Sequence, residues 1–438
     1  MKAERFRRSA DLAKKAARLI PAGCHTYSKG ADQFPQLAPG FIQSGSGAWV
    51  TDVDHNTFLD WGMGLRSVSL GYDYPRVTRK VMEHVRRGSN FTRPSPIEIE
   101  VAELLTDMIP SADMVKFAKN GSDVTTAAIR LSRAYTGRKR VAYCKEHPFF
   151  SFDDWFIGTT PCDNGIPDQL SELSVPFHYN DIASLERIFE QYPDDIAAVI
   201  MEPVTGERPA ADFLQRVRQL TQKHGAVLVF DEMITGFRFG LPGAQTAFGV
   251  EPDLSTFGKA IGNGFSCAVL AGKREIMELG GLDHPYVRTF LISATNAAET
   301  HALAAVQETV LEFREKDVID HIERTGKELM AGWRQVTAIH GLERYLQIGG
   351  YPNSPVIICK DEQENSSFAF RTIFLQEMIR EGVLIPYVSI SYSHGGSEVA
   401  KTLEALDQTC KAYKKALEQG AQSVLVGPAV KPVFRKFN

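Results

Sequence analysis

The stretch Ala226-Val227-Leu228-Val229-Phe230-Asp231-Glu232-Met233-Ile234-Thr235-Gly236-Phe237-Arg238 decides the fold. Its first five residues are apolar and rich in valine, the composition of a strand buried on both faces. Two carboxylates close the run, and Thr235-Gly236 breaks it immediately afterwards. Upstream, residues 213 to 224 carry a helical apolar period, and residues 197–201 are another apolar run. Strand, amphipathic helix and strand at this spacing make a βαβ unit, which implies a parallel sheet in an α/β fold. Downstream, the short run Leu254-Ser255-Thr256-Phe257 delivers Gly258-Lys259-Ala260-Ile261-Gly262-Asn263-Gly264. In open α/β sheets, ligands sit at the carboxyl ends of strands. Asp231 and Lys259 both fall there.

A carboxylate at one strand end and a lysine in a glycine-bracketed turn after the next are what pyridoxal phosphate (PLP) chemistry needs. The lysine would hold the cofactor as a Schiff base, and the aspartate would keep the pyridine nitrogen protonated so that the ring accepts electrons. Held between Gly258 and Gly262, Lys259 can be desolvated and act as nucleophile and proton shuttle. Separately, Asp231 could be a turn residue and Lys259 a solvated charge; together and in this order they are more specific. Phe117-Ala118-Lys119-Asn120-Gly121-Ser122-Asp123 precedes a helix whose apolar face runs Val124, Ala128, Leu131, Tyr135. Gly121 admits close approach, and Ser122 with the first-turn amides suits a phosphate, although the same residues also make an ordinary N-cap. Glu202, in Glu202-Pro203-Val204, is a second carboxylate at the same sheet edge, or a partner for an arginine. His147-Pro148-Phe149-Phe150 follows a strand at 141–144 and offers aromatics that could stack on a flat ring or anchor a loop. The run from Ser293 to His301 enters a long helix expected at 299–315, and its hydroxyls could cap that helix or reach a phosphate.

With 438 residues, 43% apolar and 23% charged, the chain suits a soluble enzyme of two domains. A net charge of −4 offers no basic surplus for nucleic acid or an anionic membrane. The amino terminus is charged with no apolar core behind it, so no secretory signal is expected, and no apolar run is long enough to span a bilayer. Cysteines 24, 144, 162, 267, 359 and 410 are scattered, without CxxC or zinc spacing, which points to free thiols in a reducing cytoplasm and to no metal. The glycines of 258–264 fit neither nucleotide-binding fingerprint. Residues 5–19 read as a helix stopped by Pro21, residues 24–46 as an irregular, ligand-facing segment, and residues 47–60 as a hairpin around Asp54-His55-Asn56. The expected organisation is an amino-terminal segment of a small domain at 1–65 and a large cofactor-binding domain at 66–305. A carboxy-terminal small α/β domain at 306–417 and a weakly ordered tail at 418–438 would follow.

Residues 230–238 match the FDE(V/M)xTGFR stretch, and residues 258–264 the GK-x-I-G-x-G stretch, of the class III (subgroup II) aminotransferases of PLP fold type I. From about residue 10 to 415 the chain resembles the glutamate-1-semialdehyde aminomutase branch of that family. The resemblance implies fold type I: a large domain with a mostly parallel central sheet, and a smaller α/β domain from the terminal segments. It implies PLP as cofactor, Lys259 as the Schiff-base lysine and Asp231 as the pyridinium partner. Met233 would lie under the ring, where the family usually has valine, and Gly121 and Ser122 would bind the phosphate. Glu202 matches the glutamate of the family's EPV motif. Thr295 matches a threonine that reaches the phosphate from the neighbouring subunit, which implies a homodimer with shared active sites.

The chain departs from the family's pattern in three places. His147-Pro148-Phe149 stands where the family has its ring-stacking Tyr-His-Gly, so either His147 or a phenylalanine would stack. Thr26 and Lys29 stand where the aminomutase has a serine and an arginine for the substrate carboxylate, and lysine lacks the bidentate fork. Ile385-Pro386-Tyr387 replaces the aminomutase's Phe-Glu-Ala, with only Ser393-His394 kept beyond it. Tyr27, Lys29, Trp61, Arg66, Asn90, Thr92, Arg93, Tyr387 and His394 are then the candidates for a substrate lining. The expected activity is a PLP-dependent aminotransferase. It would move an amino group from an amino-acid donor to a small polar carbonyl acceptor, hydroxylated or sugar-like, in biosynthesis. The alternative is glutamate-1-semialdehyde 2,1-aminomutase, which keeps one substrate bound through both halves; a scaffold that binds PLP without turnover is the remaining rival.

Overall fold

A computed structural model describes residues 3–437. The chain forms two compact units, one of residues up to Tyr74 with Asp320–Arg435, the other centred on Pro75–Ile319. The sequence reading sets the boundaries at 65 and 305. The structure instead divides the chain where the helix Pro75–Arg87 begins and in the first turn of the helix Val318–Ile339.

The first unit starts with the helix Arg7–Leu19, which stops where Ile20 turns extended ahead of Pro21. Strands β1 (Ile42–Ser46), β2 (Trp49–Asp52) and β3 (Thr57–Asp60) form an antiparallel meander. Its β2–β3 turn is tied by Asp52, whose Oδ1 accepts the amides of Asp54 at 2.9 Å and Asn56 at 2.7 Å.

The second unit holds β4 (Met114–Ala118), β5 (Arg140–Cys144), β6 (Ser174–Phe177), β7 (Ile196–Met201), β8 (Val227–Asp231), β9 (Leu254–Phe257) and β10 (Ala268–Gly272). They lie in the order β4-β10-β9-β8-β7-β5-β6. From β9 to β6 every neighbouring pair is parallel; β10 runs antiparallel to both β9 and β4. Every residue of β7 and β8 is buried, as the unbroken apolar runs require of strands covered on both faces. The helix Phe213–His224 crosses between them, burying Phe213, Leu214 and Val217 in one cluster with Met201, Leu228 and Phe230. Each such side chain removed from water stabilises by about 1.5–3 kcal/mol before ordering costs.

The rest of the first unit contains the hairpin β11 (Leu346–Tyr351) and β12 (Ser354–Cys359), then β13 (Val383–Leu384), which pairs parallel with β3. Both terminal segments therefore share one sheet, in the order β1-β2-β3-β13. Within residues 418–438, expected as a weakly ordered tail, Val424, Val426 and Val430 are instead bonded to the helix Phe368–Arg380. Val430 is buried and its amide donates to Thr372 Oγ1 at 2.9 Å. Those anchors lie on a distant helix, so no local pattern signals them. No helix among the described residues is long and apolar enough to cross a membrane, and the six cysteines are free thiols.

Candidate active site

Asp231 ends β8 and pairs in register with Thr256 of β9. It is 2% exposed. The Met233 amide and the Thr256 hydroxyl both donate to Oδ1 at 3.0 Å, which leaves Oδ2 for the N–H of a ligand. Burial outweighs these bonds and the nearby charge of Lys259, and pushes the carboxyl up to about 6. A cationic N–H donor would restore its charged form.

Three residues beyond Thr256, Lys259 opens the 3-10 turn Lys259–Gly262 with φ +46°. A side-chain-bearing residue in this left-handed region costs on the order of 1–2 kcal/mol, and it is sustained by the surrounding packing. Lys259 is half-buried there.

Met233 joins the pieces. A Cβ on Gly121 would meet its Sδ at 3.0 Å, and one on Gly258 at 2.6 Å. The thioether therefore lies against two backbones at once: the start of the helix Gly121–Thr136 and the residue before Lys259. A Cβ at either glycine would require Met233 to shift, by more at Gly258 than at Gly121.

Asn120 caps this 16-residue helix by accepting the Asp123 amide. Ser122 is buried, and its Oγ accepts the Phe152 amide at 3.0 Å, so the hydroxyl proton remains to be donated. Thr125 Oγ1 donates to Phe150 O at 2.9 Å. These two bonds dock the loop after β5 onto the helix N-terminus, where first-turn amides suit an anion.

His147, in that loop, is buried. Its Nδ1 accepts the backbone amide of Glu202 at 2.8 Å, so in the neutral ring the proton sits on Nε2, which is buried without a hydrogen-bond partner among the described residues. Burial pulls its pKa down to about 3. The ring is wedged between Phe150 and Tyr179, at centroid distances of 5.6 and 5.7 Å. It acts as a strut between the ends of β5 and β7. Phe149, by contrast, is 45% exposed.

Glu232 has no role in the sequence reading. It is fully buried, takes the Thr235 hydroxyl, and accepts the amides of Ala244 at 2.9 Å and Gln245 at 2.8 Å. It pins the loop at 243–245 behind Asp231; its position directly after Asp231 is the only signal in the sequence. Elsewhere on this unit, Asn90, Thr92, Arg93 and Thr295 line a groove of about 810 Å³, where Asn90 Nδ2 donates to Thr295 O at 3.1 Å. The loop entering the helix Thr300–Glu315 is fixed by the Lys119–Glu299 pair at 2.7 Å.

The remaining candidates belong to the first unit. Tyr27, 69% exposed, and the exposed Lys29 bound a single 3-10 turn. Arg66 places its guanidinium over the Tyr387 ring at 4.8 Å and donates from Nη1 to Ser354 Oγ at 3.1 Å and Val388 O at 3.0 Å. It ends a left-handed turn in which Met63, Gly64, Leu65 and Arg66 all have positive φ. Asp60 braces that turn, accepting the Gly62 amide at 2.7 Å and the Tyr72 hydroxyl at 2.6 Å. Trp61 and His394 do not line a surface. Both are fully buried, with rings stacked at 4.2 Å; Trp61 Nε1 donates to Thr402 Oγ1 at 2.8 Å, and His394 Nδ1 accepts the Ser391 amide at 3.1 Å. Sequence cannot separate an aromatic whose polar edge is satisfied inside the core from one that faces a ligand.

Residues 30–389 match the family model for class-III aminotransferases. This chain belongs to the class III aminotransferases. Similar proteins include the glutamate-1-semialdehyde 2,1-aminomutase of Syntrophomonas wolfei, 32% identical over 95% of this chain and 99% of that one. The 3-aminobutyryl-CoA aminotransferase of Cloacimonas acidaminovorans is 31% identical, over 94% and 98% of the two chains. Among solved structures, the PLP internal aldimine form of the FumI protein of Sphingopyxis sp. MTA144 superimposes with a TM-score of 0.86 at 28% identity, over 94% and 98% of the two chains. The fold is that of the fold type I PLP enzymes, and the cofactor of this class III aminotransferase is pyridoxal 5'-phosphate. The residues present fit it: Oδ2 of Asp231 suits the ring N–H, Ser122 and the first-turn amides suit the phosphate, and Lys259 suits the aldehyde.

Proposed function

We propose that this class III aminotransferase moves an amino group from an amino-acid donor to a small polar carbonyl acceptor, hydroxylated or sugar-like, in a biosynthetic pathway. The observation that carries the chemistry is the buried Asp231 carboxylate, braced on one oxygen and in register with Thr256, three residues before Lys259. When bound, PLP supplies an electron sink that weakens the bonds at the donor's α-carbon. Asp231 Oδ2 holds the proton on the ring nitrogen. With the cofactor bound, Lys259 Nζ would be the group that takes the proton from the donor's α-carbon and returns it on the cofactor side. Gly121 and Ser122 would hold the phosphate, and Met233 would pack against the ring. Phe149, the exposed aromatic of a loop docked on the same helix N-terminus, would be the residue to stack on the ring, with His147 and Glu202 as the strut behind it. Tyr27, Lys29, Arg66 and Arg93 are assigned to substrate. Lys29 offers a point charge where a bidentate arginine would demand a carboxylate, which supports a carbonyl acceptor that need not be an α-keto acid.

The working form is a homodimer in which Thr295 of each subunit completes the phosphate site of the other; its exposure in a groove supports this. Free thiols support a cytoplasmic setting. The aminomutase is the second reading, favoured by relatives of that name at 29% and 32% identity. The test is the absorbance of the holoenzyme as L-glutamate, L-glutamine, L-alanine and small diamines are added singly, without acceptor. One equivalent of keto product from one donor establishes an aminotransferase. Silence with every donor, with isomerisation of glutamate 1-semialdehyde in their absence, establishes the aminomutase. Absence of a bound-cofactor band after PLP is supplied removes Lys259 from its role.

A further inference from the structure

Residues 424–435 cross the first unit as a strap. The Val426 amide donates to Gln376 Oε1 at 2.8 Å, Gln376 Nε2 donates to Val424 O at 3.2 Å, and Val430 is buried with its amide on Thr372 Oγ1. All of these anchors lie on the helix Phe368–Arg380. The strap then meets the segment that follows Lys29. The Lys431 amide donates to Asp32 O at 3.0 Å, Gln33 Nε2 donates to Lys431 O at 3.0 Å, and Arg435 Nη1 pairs with Asp32 Oδ2 at 2.7 Å. Gly427 lies against Gln36, where a Cβ would have no room. On the opposite side, Asp32 Oδ1 covers Gly30, so close that a Cβ there would stand 2.6 Å away. A continuous line of contact therefore runs Arg435, Asp32, Gly30, and Lys29 is the next residue.

The segment has little internal support. Tyr27–Lys29 and Ala31–Gln33 are single 3-10 turns with no buried residue in either. Isolated turns of this length are marginal, so the positions of Tyr27 and Lys29 depend on contacts from outside the segment. The Arg435–Asp32 pair is shielded enough to hold a geometry, with side chains only 23% and 33% exposed.

We propose that the carboxy-terminal strap is a positioning element for substrate: Arg435, through Asp32, fixes the turn that presents Tyr27 and Lys29. This rests on the assignment of Tyr27 and Lys29 to substrate. Lys29 is the only lysine or arginine between Arg18 and Arg66, so trypsin reads the segment at one bond, Lys29–Gly30. The holoenzyme is compared with Arg435→Glu, Arg435→Lys, and Arg435→Glu combined with Asp32→Arg, with cleavage scored by mass at the Lys29–Gly30 bond alone because the swap adds a second bond after position 32; Asp32→Asn replaces Arg435→Glu should that variant not fold. In Arg435→Glu, cleavage at Lys29 rises at least ~10-fold and the donor KM rises about 10-fold, while kcat and the bound-cofactor absorbance hold. Arg435→Lys and the charge-swapped pair return both readings to within about 2-fold. Unchanged cleavage at Lys29 overturns the strap whatever the kinetics. A rise at every tryptic site that the charge swap does not cancel also overturns it, since that is general unfolding. Faster cleavage at Lys29 with an unchanged KM upholds the strap's grip on the segment and overturns the assignment of Tyr27 and Lys29 to substrate.

Discussion

Replacing Asp231 with asparagine should stabilise the cofactor-free protein while crippling the holoenzyme. In the folded state without PLP the carboxyl titrates near 6, against an ordinary 3.8, because burial penalises the charge. That interval corresponds to ~3 kcal/mol as an upper limit. The folded protein binds this proton more tightly than the unfolded chain. The associated stability is fully present below 3.8 and is lost as pH rises through about 6. Asparagine carries no charge, and its Oδ1 can keep both native bonds, since the Met233 amide and the Thr256 hydroxyl use only that atom. At pH 8 the cofactor-free Asp231→Asn protein should therefore melt above cofactor-free wild type, by about 1–3 kcal/mol, or roughly 2–4 °C per kcal/mol in a unit of this size. Near pH 4 the gap should close. With PLP bound the order should reverse, because the variant offers the ring nitrogen no anion, and single-turnover rates with the donor should fall by about 10²–10⁴. Calorimetry of both forms at pH 4 and 8, with stopped-flow absorbance, measures this. A cofactor-free variant that melts below wild type at pH 8, or a gap equal at both pH values, would refute the reasoning.

Gly258→Ala places a Cβ 2.6 Å from Met233 Sδ, so PLP affinity and stability should drop by about 1–3 kcal/mol. Adding Met233→Val should recover most of the loss in a PLP titration, and no recovery would separate Met233 from that contact. Ser122→Ala strands the Phe152 amide and removes a phosphate donor. PLP should bind about 10-fold more weakly, while pyridoxal, which lacks the phosphate, should bind as before; equal losses would take Ser122 off the phosphate. His147→Phe leaves the Glu202 amide buried without its acceptor, at about 1–3 kcal/mol in urea unfolding. That cost should be full above pH 7.5. It should shrink as pH falls through 6.5 towards 3, because the unfolded histidine gains a proton that the folded one refuses down to about 3. A cost that grows on acidification contradicts a neutral, buried ring.

Short-range physics made much of this molecule legible in its sequence. β7 and β8 are unbroken apolar runs that can only be buried strands, and the helix Phe213–His224 between them dictates a parallel crossover. Their punctuation placed Asp231 and Lys259 at strand ends, and the residues at 120–123 announced a helix start. What the sequence could not show is who stands beside whom. That Thr256 faces Asp231, and that Met233 lies against both Gly121 and Gly258, follows from strand order and loop packing between residues far apart in the chain. The same holds for Trp61, His147 and His394, which read as ligand-facing. Whether an aromatic with a polar edge can sit inside depends on a distant partner, here Thr402, the Glu202 amide and Ser391. The strap is the extreme case. Its sequence is rich in apolar residues but, broken by Gly427, Pro428 and Pro432, has no helical or strand period, and it is held because Thr372, Gln376 and Asp32 offer hydrogen bonds and charge that only the folded chain brings within reach.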